Sequence, residues 1–161
     1  MDLMHVISSL PLELKILLYV VISMLLGAAV GFDRELADKP AGIRTHMLVA
    51  GSATLLVSLG KIMVPDFGLS DAALGADPLR IIGAIITGVS FLGAGTIIRS
   101  GSEDRVKGLT TAAALLFVAS VGICVALSKL LLAVGVTIIT LATLRGVVYL
   151  ERRLGFGRQE F

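Results

Sequence analysis

The stretch GFDRELADKPAGIRTH, Gly31 to His46, sets two carboxylates, Asp33 and Glu35, beside Arg34, Lys39, Arg44, Thr45 and His46. Side chains of these types, this close together, have several chemical uses. Asp33 and Glu35 can give oxygens to a hydrated Mg2+, which accepts one or two carboxylates and keeps several of its waters. Arg34 and Arg44, with Arg99 further along, compete with that role and suit an anion or the acidic surface of a partner. His46 can titrate near neutral pH as a sensor, or serve as a hydrogen-bonded residue at a membrane surface. The plainest reading is a salt-bridged clasp of Asp33, Glu35, Arg34, Arg44 and Arg99, since charges near hydrocarbon are costly unless paired or wet. Catalysis has little to work with: the chain shows no Ser/His/Asp order, no metal-ligand spacing and no Walker-type loop, so a non-enzymatic protein is expected.

The elements that position these groups are membrane spans. Of 161 residues, 56% are hydrophobic and 16% charged, with a mean hydropathy of +0.96, whereas soluble chains carry about a quarter charged residues. The apolar excess falls in runs of about 17 to 25 residues, enough to cross ~30 Å of hydrocarbon as helix. Five spans are predicted: Ile16–Phe32, Thr45–Val64, Ile81–Ile98, Leu109–Leu127 and Leu130–Leu150. The fold class is all-α, a polytopic transmembrane bundle over 16–150, with an N-terminal segment 1–15 and a short basic tail 151–161. The first run lacks a basic region before it and carries Glu13 and Lys15 at its start, so it is expected to be retained rather than cleaved as a signal peptide. Only Ser128 and Lys129 separate the last two spans, which implies a very tight hairpin, with a single long tilted or broken helix as the competing reading. Cys124 lies inside the fourth span and is expected to pack as a small hydrophobe. Tyr19 and Tyr149 stand near the ends of the first and last spans, where interfacial anchors would. Gly27 and Gly31, and Gly83, Gly88, Gly93 and Gly95 in the third span, give smooth surfaces for close helix packing, including that of a homodimer.

Basic residues crowd one side. The first connection holds Arg34, Lys39 and Arg44, the third Arg99, Arg105 and Lys107, and the tail Arg152, Arg153 and Arg158; the other side has Lys15, Lys61, Arg80 and Lys129. The bias predicts N-terminus out and C-terminus cytoplasmic. The pI near 8.9 then reflects topology and contact with an anionic lipid bilayer, not nucleic acid.

The chain also echoes itself at an offset of 66 residues. Leu26-Gly27-Ala28 aligns with Leu92-Gly93-Ala94, Asp38 with Asp104, Lys39 with Arg105, Gly42-Ile43 with Gly108-Leu109 and Thr45 with Thr111. A duplication on this offset would make two parallel hairpins related by an axis along the membrane normal. The second and fourth helices would then start on the same face, with Thr45, Thr110 and Thr111 as caps or hydroxyl donors. Two adjacent helix starts favour an anion; capping and a turn is the simpler account.

Three stretches together, GFDRELADKPAGIRTHMLV (31–49), GVSFLGAGTIIR (88–99) and VKGLTTAAALL (106–116), resemble the signature stretches of the MgtC/SapB family of bacterial inner-membrane proteins. The resemblance runs from about residue 20 to 127. It implies a small polytopic protein of the plasma membrane, associated with growth in low magnesium and, in pathogens, with survival inside macrophages. The family has been labelled a magnesium-transport component, yet its better-studied members act as regulators of membrane partners, including the F-type ATP synthase. By position, the family motifs fall on Asp33, Arg34 and Glu35, on Lys39 to His46, and on Gly108 to Thr111, with Lys107 just before. Long members add a soluble ACT-like domain, and this chain reads as the short, SapB-like form.

Overall fold

The computed structural model describes residues 11–66, 78–99 and 106–154. Five helices follow one another: α1 (Leu12–Leu36), α2 (Ile43–Asp66), α3 (Pro78–Thr96), α4 (Leu109–Ala126) and α5 (Leu130–Leu154). All five are long and apolar enough to cross a membrane. A helix is the form in which such a run can satisfy its own backbone hydrogen bonds without water. Between α3 and α4 the chain makes a two-residue antiparallel pairing of β1 (Ile98–Arg99) with β2 (Val106–Lys107), Ile98 opposite Lys107.

Helices α1, α2 and α5 overrun the predicted spans, most tellingly α1, which continues through Asp33-Arg34-Glu35 instead of stopping at Phe32, whereas α3 ends at Thr96, before the predicted Ile98, and α4 at Ala126. The end of α1 is fixed by backbone bonds from Lys39 N–H to Arg34 C=O and Asp38 N–H to Glu35 C=O, with Asp38 at φ 52°. This left-handed terminator satisfies the last carbonyls, so the charged triplet can stay helical. The same device ends α4: Lys129 N–H bonds Cys124 C=O, Ser128 N–H bonds Val125 C=O, and Ser128 sits at φ 60°. The tight hairpin is thus the correct reading of 127–129, and the single long helix is not.

Helix α4 is the axle, in contact with each of the other four, and α1 packs most extensively on α2. Small residues set these distances. A Cβ on Gly27 would come within 2.6 Å of the His46 carbonyl oxygen, and one on Gly31 within 2.6 Å of Ile43 Cα. These two glycines are therefore occupied inside the chain. In α3 only Gly93 has such a neighbour, Ala112, while Gly83, Gly88 and Gly95 look onto open space. Thr54, fully buried, donates to Ala50 C=O on its own helix and Gly122 C=O on α4, at 3.0 and 2.9 Å. Around the core of Val30, Ala50, Leu115 and Val118, the outward residues, such as Phe91 and Leu131, are exposed and apolar, as a lipid-facing surface requires. Tyr19 departs from expectation: it is buried among Val121, Val125 and Ala133, its hydroxyl 3.1 Å from Ser128 Oγ. Tyr149 is exposed, with Arg153 above its ring. Cys124 packs half-buried beside the Tyr19 cluster.

Candidate functional site

The ends of α1 and α5 and the start of α2 meet at one end of the bundle, and the polar residues of the opening stretch gather there. Asp33 is buried on α1 and takes a 2.6 Å bond from Arg145 Nε on α5, its carboxylate only 11% exposed. Arg145 stands within the apolar run of the fifth span and was not foreseen as a site residue; an arginine inside such a run is itself the signal that could have found it. Glu35 turns to the backbone: its Oε2 accepts the Ile43 N–H at 2.9 Å and so caps α2. Gly42 makes room, since a Cβ there would meet that same oxygen at 2.6 Å.

Arg34 and His46 lie beneath this surface. Arg34 is 5% exposed, with no hydrogen bond or ion pair to its side chain among the described residues, and its Nε is wholly covered. His46 is 0% exposed; its Nδ1–H donates to Gly42 C=O at 2.8 Å, while Nε2 is buried without a partner among the described residues. A buried charge lacking a counter-ion is expensive, so Arg34 is the electrostatic oddity of this end.

The predicted clasp is thus differently composed. Asp33 pairs with Arg145, and Glu35 with a backbone N–H. Arg44 is exposed and makes no ion pair among the described residues; the Arg99 side chain lies outside what is described. Lys39 and Lys107 lie on the loops at the same end, Lys107 exposed on β2. The hydroxyls are not caps: Thr45 and Thr110 are exposed, Thr111 is buried at 1%, and α4 begins at Gly108 with φ 95° and no side-chain cap. Gly108 is required there, because a Cβ would run into the Thr96 carbonyl. Asp104 and Arg105 of the echo, residues 1–10 and residues 155–161 fall outside the described residues. Among those described, no group of three or more His, Cys, Asp and Glu is placed to hold a metal ion.

Five apolar helices closed at one end by an ion pair and a buried arginine define a multi-pass membrane protein. Residues 20–153 match the MgtC family, and the chain belongs to it. It is 38% identical over 119 residues to protein MgtC of Salmonella typhimurium, covering 74% of this chain and 46% of that protein. Against YhiD of Escherichia coli K12, provisionally named a magnesium transporter, identity is 34% over 126 residues, 78% of this chain and 57% of the relative. An uncharacterised protein of Haemophilus influenzae is 31% identical over 135 residues, 84% and 56% of the two chains. The chain spans about half the length of these curated relatives. No solved structure matches it.

Proposed function

We propose that this chain is a non-enzymatic regulator of membrane partners, working in the magnesium physiology that the names of its relatives point to, and that its basic end receives an acidic segment of a partner. The observation that carries this reading is the uneven use of charge. Asp33 is neutralised by Arg145 and Glu35 is spent on a helix cap, while Arg34 is buried without a counter-charge among the described residues. Such an end repels a divalent cation and attracts a carboxylate or phosphate. With Lys39, Arg44 and Lys107 around it, this end is the cytoplasmic one under the positive-inside rule, in a bacterial inner membrane with the N-terminus outside.

Passage of Mg2+ has weaker support. Ion pathways use an ionisable group or a broken helix near the midplane. Here α3, whose glycines would allow a break, is continuous from Pro78 to Thr96. The hydroxyls of Thr54, Thr137 and Thr140 donate to backbone carbonyls. The test is cross-linking in native membranes followed by affinity purification, with the F-type ATP synthase among the candidates to probe. A partner recovered by the wild type should fall at least tenfold with Arg34→Gln and less with Arg44→Ala. Equal recovery from folded Arg34→Gln would refute the role given to Arg34.

A further inference from the structure

The opposite end of the bundle carries a cavity of about 290 Å3 between the start of α1, the end of α2 and the α4–α5 turn. Its lining divides into two kinds. Leu12, Ile16 and Ile62 form an apolar wall, and Lys15, Lys61, Tyr19, Ser58 and Ser128 supply polar atoms. No carboxylate among the described residues lines it. Glu13 is exposed two residues from Lys15 and therefore on another side of α1.

The partial negative charge at the end of α4 is already used. Helix α4 ends here, and its last carbonyls are all taken: Ile123 by Leu127 N–H, Cys124 by Lys129 N–H, Val125 by Ser128 N–H, and Ala126 by Lys61 Nζ at 2.9 Å. Lys61 keeps two further N–H donors and Lys15 three. Ser58 is 5% exposed, lines the cavity and has no hydrogen-bond partner among the described residues. Tyr19 and Ser128 share one hydrogen bond between two hydroxyls, which leaves one O–H to donate. Among the described residues donors and positive charge are in excess, with only hydroxyl oxygens to accept and no anionic group.

We propose that this cavity binds the phosphate of an anionic phospholipid, between Lys15 and Lys61 with the Ser58 hydroxyl, its glycerol and first acyl carbons lying on Leu12, Ile16 and Ile62. Depth selects the lipid over a free anion. Lys15 lies one turn from the start of α1 and Lys61 five residues before the end of α2, which places both roughly 5–8 Å inside the helix ends, at headgroup level. The volume suits a headgroup and the root of the chains, with the tails left in the bilayer. The bound lipid would tie α1, α2 and the α4–α5 turn together where Tyr19 and Lys61 already do so.

Native mass spectrometry of the detergent-solubilised chain with phosphatidylglycerol, phosphatidylcholine or inorganic phosphate tests this. One phosphatidylglycerol should stay bound at low lipid excess, with phosphatidylcholine at least fivefold weaker and phosphate unable to displace it. Lys15→Gln should reduce occupancy about tenfold. Lys61→Gln also removes the bond to Ala126, so its helicity and thermal midpoint are checked in parallel, and Ser58→Ala provides a milder variant expected to lose two- to threefold. Unchanged occupancy in folded Lys15→Gln overturns the site, and displacement by inorganic phosphate overturns the lipid as its occupant.

Discussion

The α1–α2 hairpin and the α3–α4 hairpin are built on the same contacts and differ in what they carry. Gly27 of the first lies against His46, and Gly93 of the second against Ala112, both members of the pair displaced by 66 residues. Gly31 abuts Gly42 and Ile43; Gly108 abuts Thr96 and Ile97, so positions 31 and 42 meet as positions 97 and 108 do. Helices α2 and α4 begin at Ile43 and Leu109, again one offset apart. Where the first hairpin has a buried histidine the second has alanine, and where Glu35 caps α2 the start of α4 has no side-chain cap. The close-packed glycine seam is shared scaffold. Among the described residues the buried polar cluster belongs to the first hairpin alone.

The comparison can be broken at its seam. Gly27→Ala must push the α2 backbone away and should lower stability by about 3 kcal/mol, while Gly93→Ala comes no nearer than 3.2 Å, to Ala112 Cβ, and should lose under about 1 kcal/mol. Unfolding in mixed micelles measures both, and equal losses would mean the hairpins are not packed as described. The polar cluster comes next. Arg145→Leu strands the Asp33 carboxylate and should destabilise by about 2 kcal/mol, less than a fully buried pair because the arginine is 62% exposed. Adding Asp33→Asn should recover part of that loss, and strict additivity would show that the pair is not coupled. Glu35→Ala removes the cap from Ile43 N–H and should cost about 1 kcal/mol, with hydrogen exchange quickened in the first turn of α2 and not of α4. The smallest effect has the opposite sign: Asp38→Gly relieves a left-handed φ and should stabilise by a few tenths of a kcal/mol, read as a raised Tm.

Much of this was legible in the sequence because membrane helices are announced by length and apolarity alone. All five spans, the hairpin at Ser128-Lys129 and the gathering of the first connection at one end follow from that logic. Partner choice within the cluster does not. Sequence proximity pairs Asp33 with arginines near it or at loop ends, whereas Arg145 reaches it from the last helix, 112 residues away. The Glu35 cap depends on Gly42 opening a gap, a three-dimensional fact without a pattern of its own. Thr45, Thr110 and Thr111 looked like caps because hydroxyls near helix starts usually are; Glu35 and the left-handed Gly108 take those places. Tyr19 had the position of an interfacial anchor, but periodicity could not say which face of α1 turns inward. The basic cavity at the other end joins residues from α1, α2 and the α4–α5 turn, and only packing brings them together.

Mg2+ flux into proteoliposomes holding folded wild-type chain beside Asp33→Asn decides whether the charged end of this bundle binds a partner or passes a divalent cation. Partner binding alone leaves uptake no faster than in protein-free vesicles for both. Uptake by the wild type that disappears in Asp33→Asn would contradict it and make Asp33 part of an ion path.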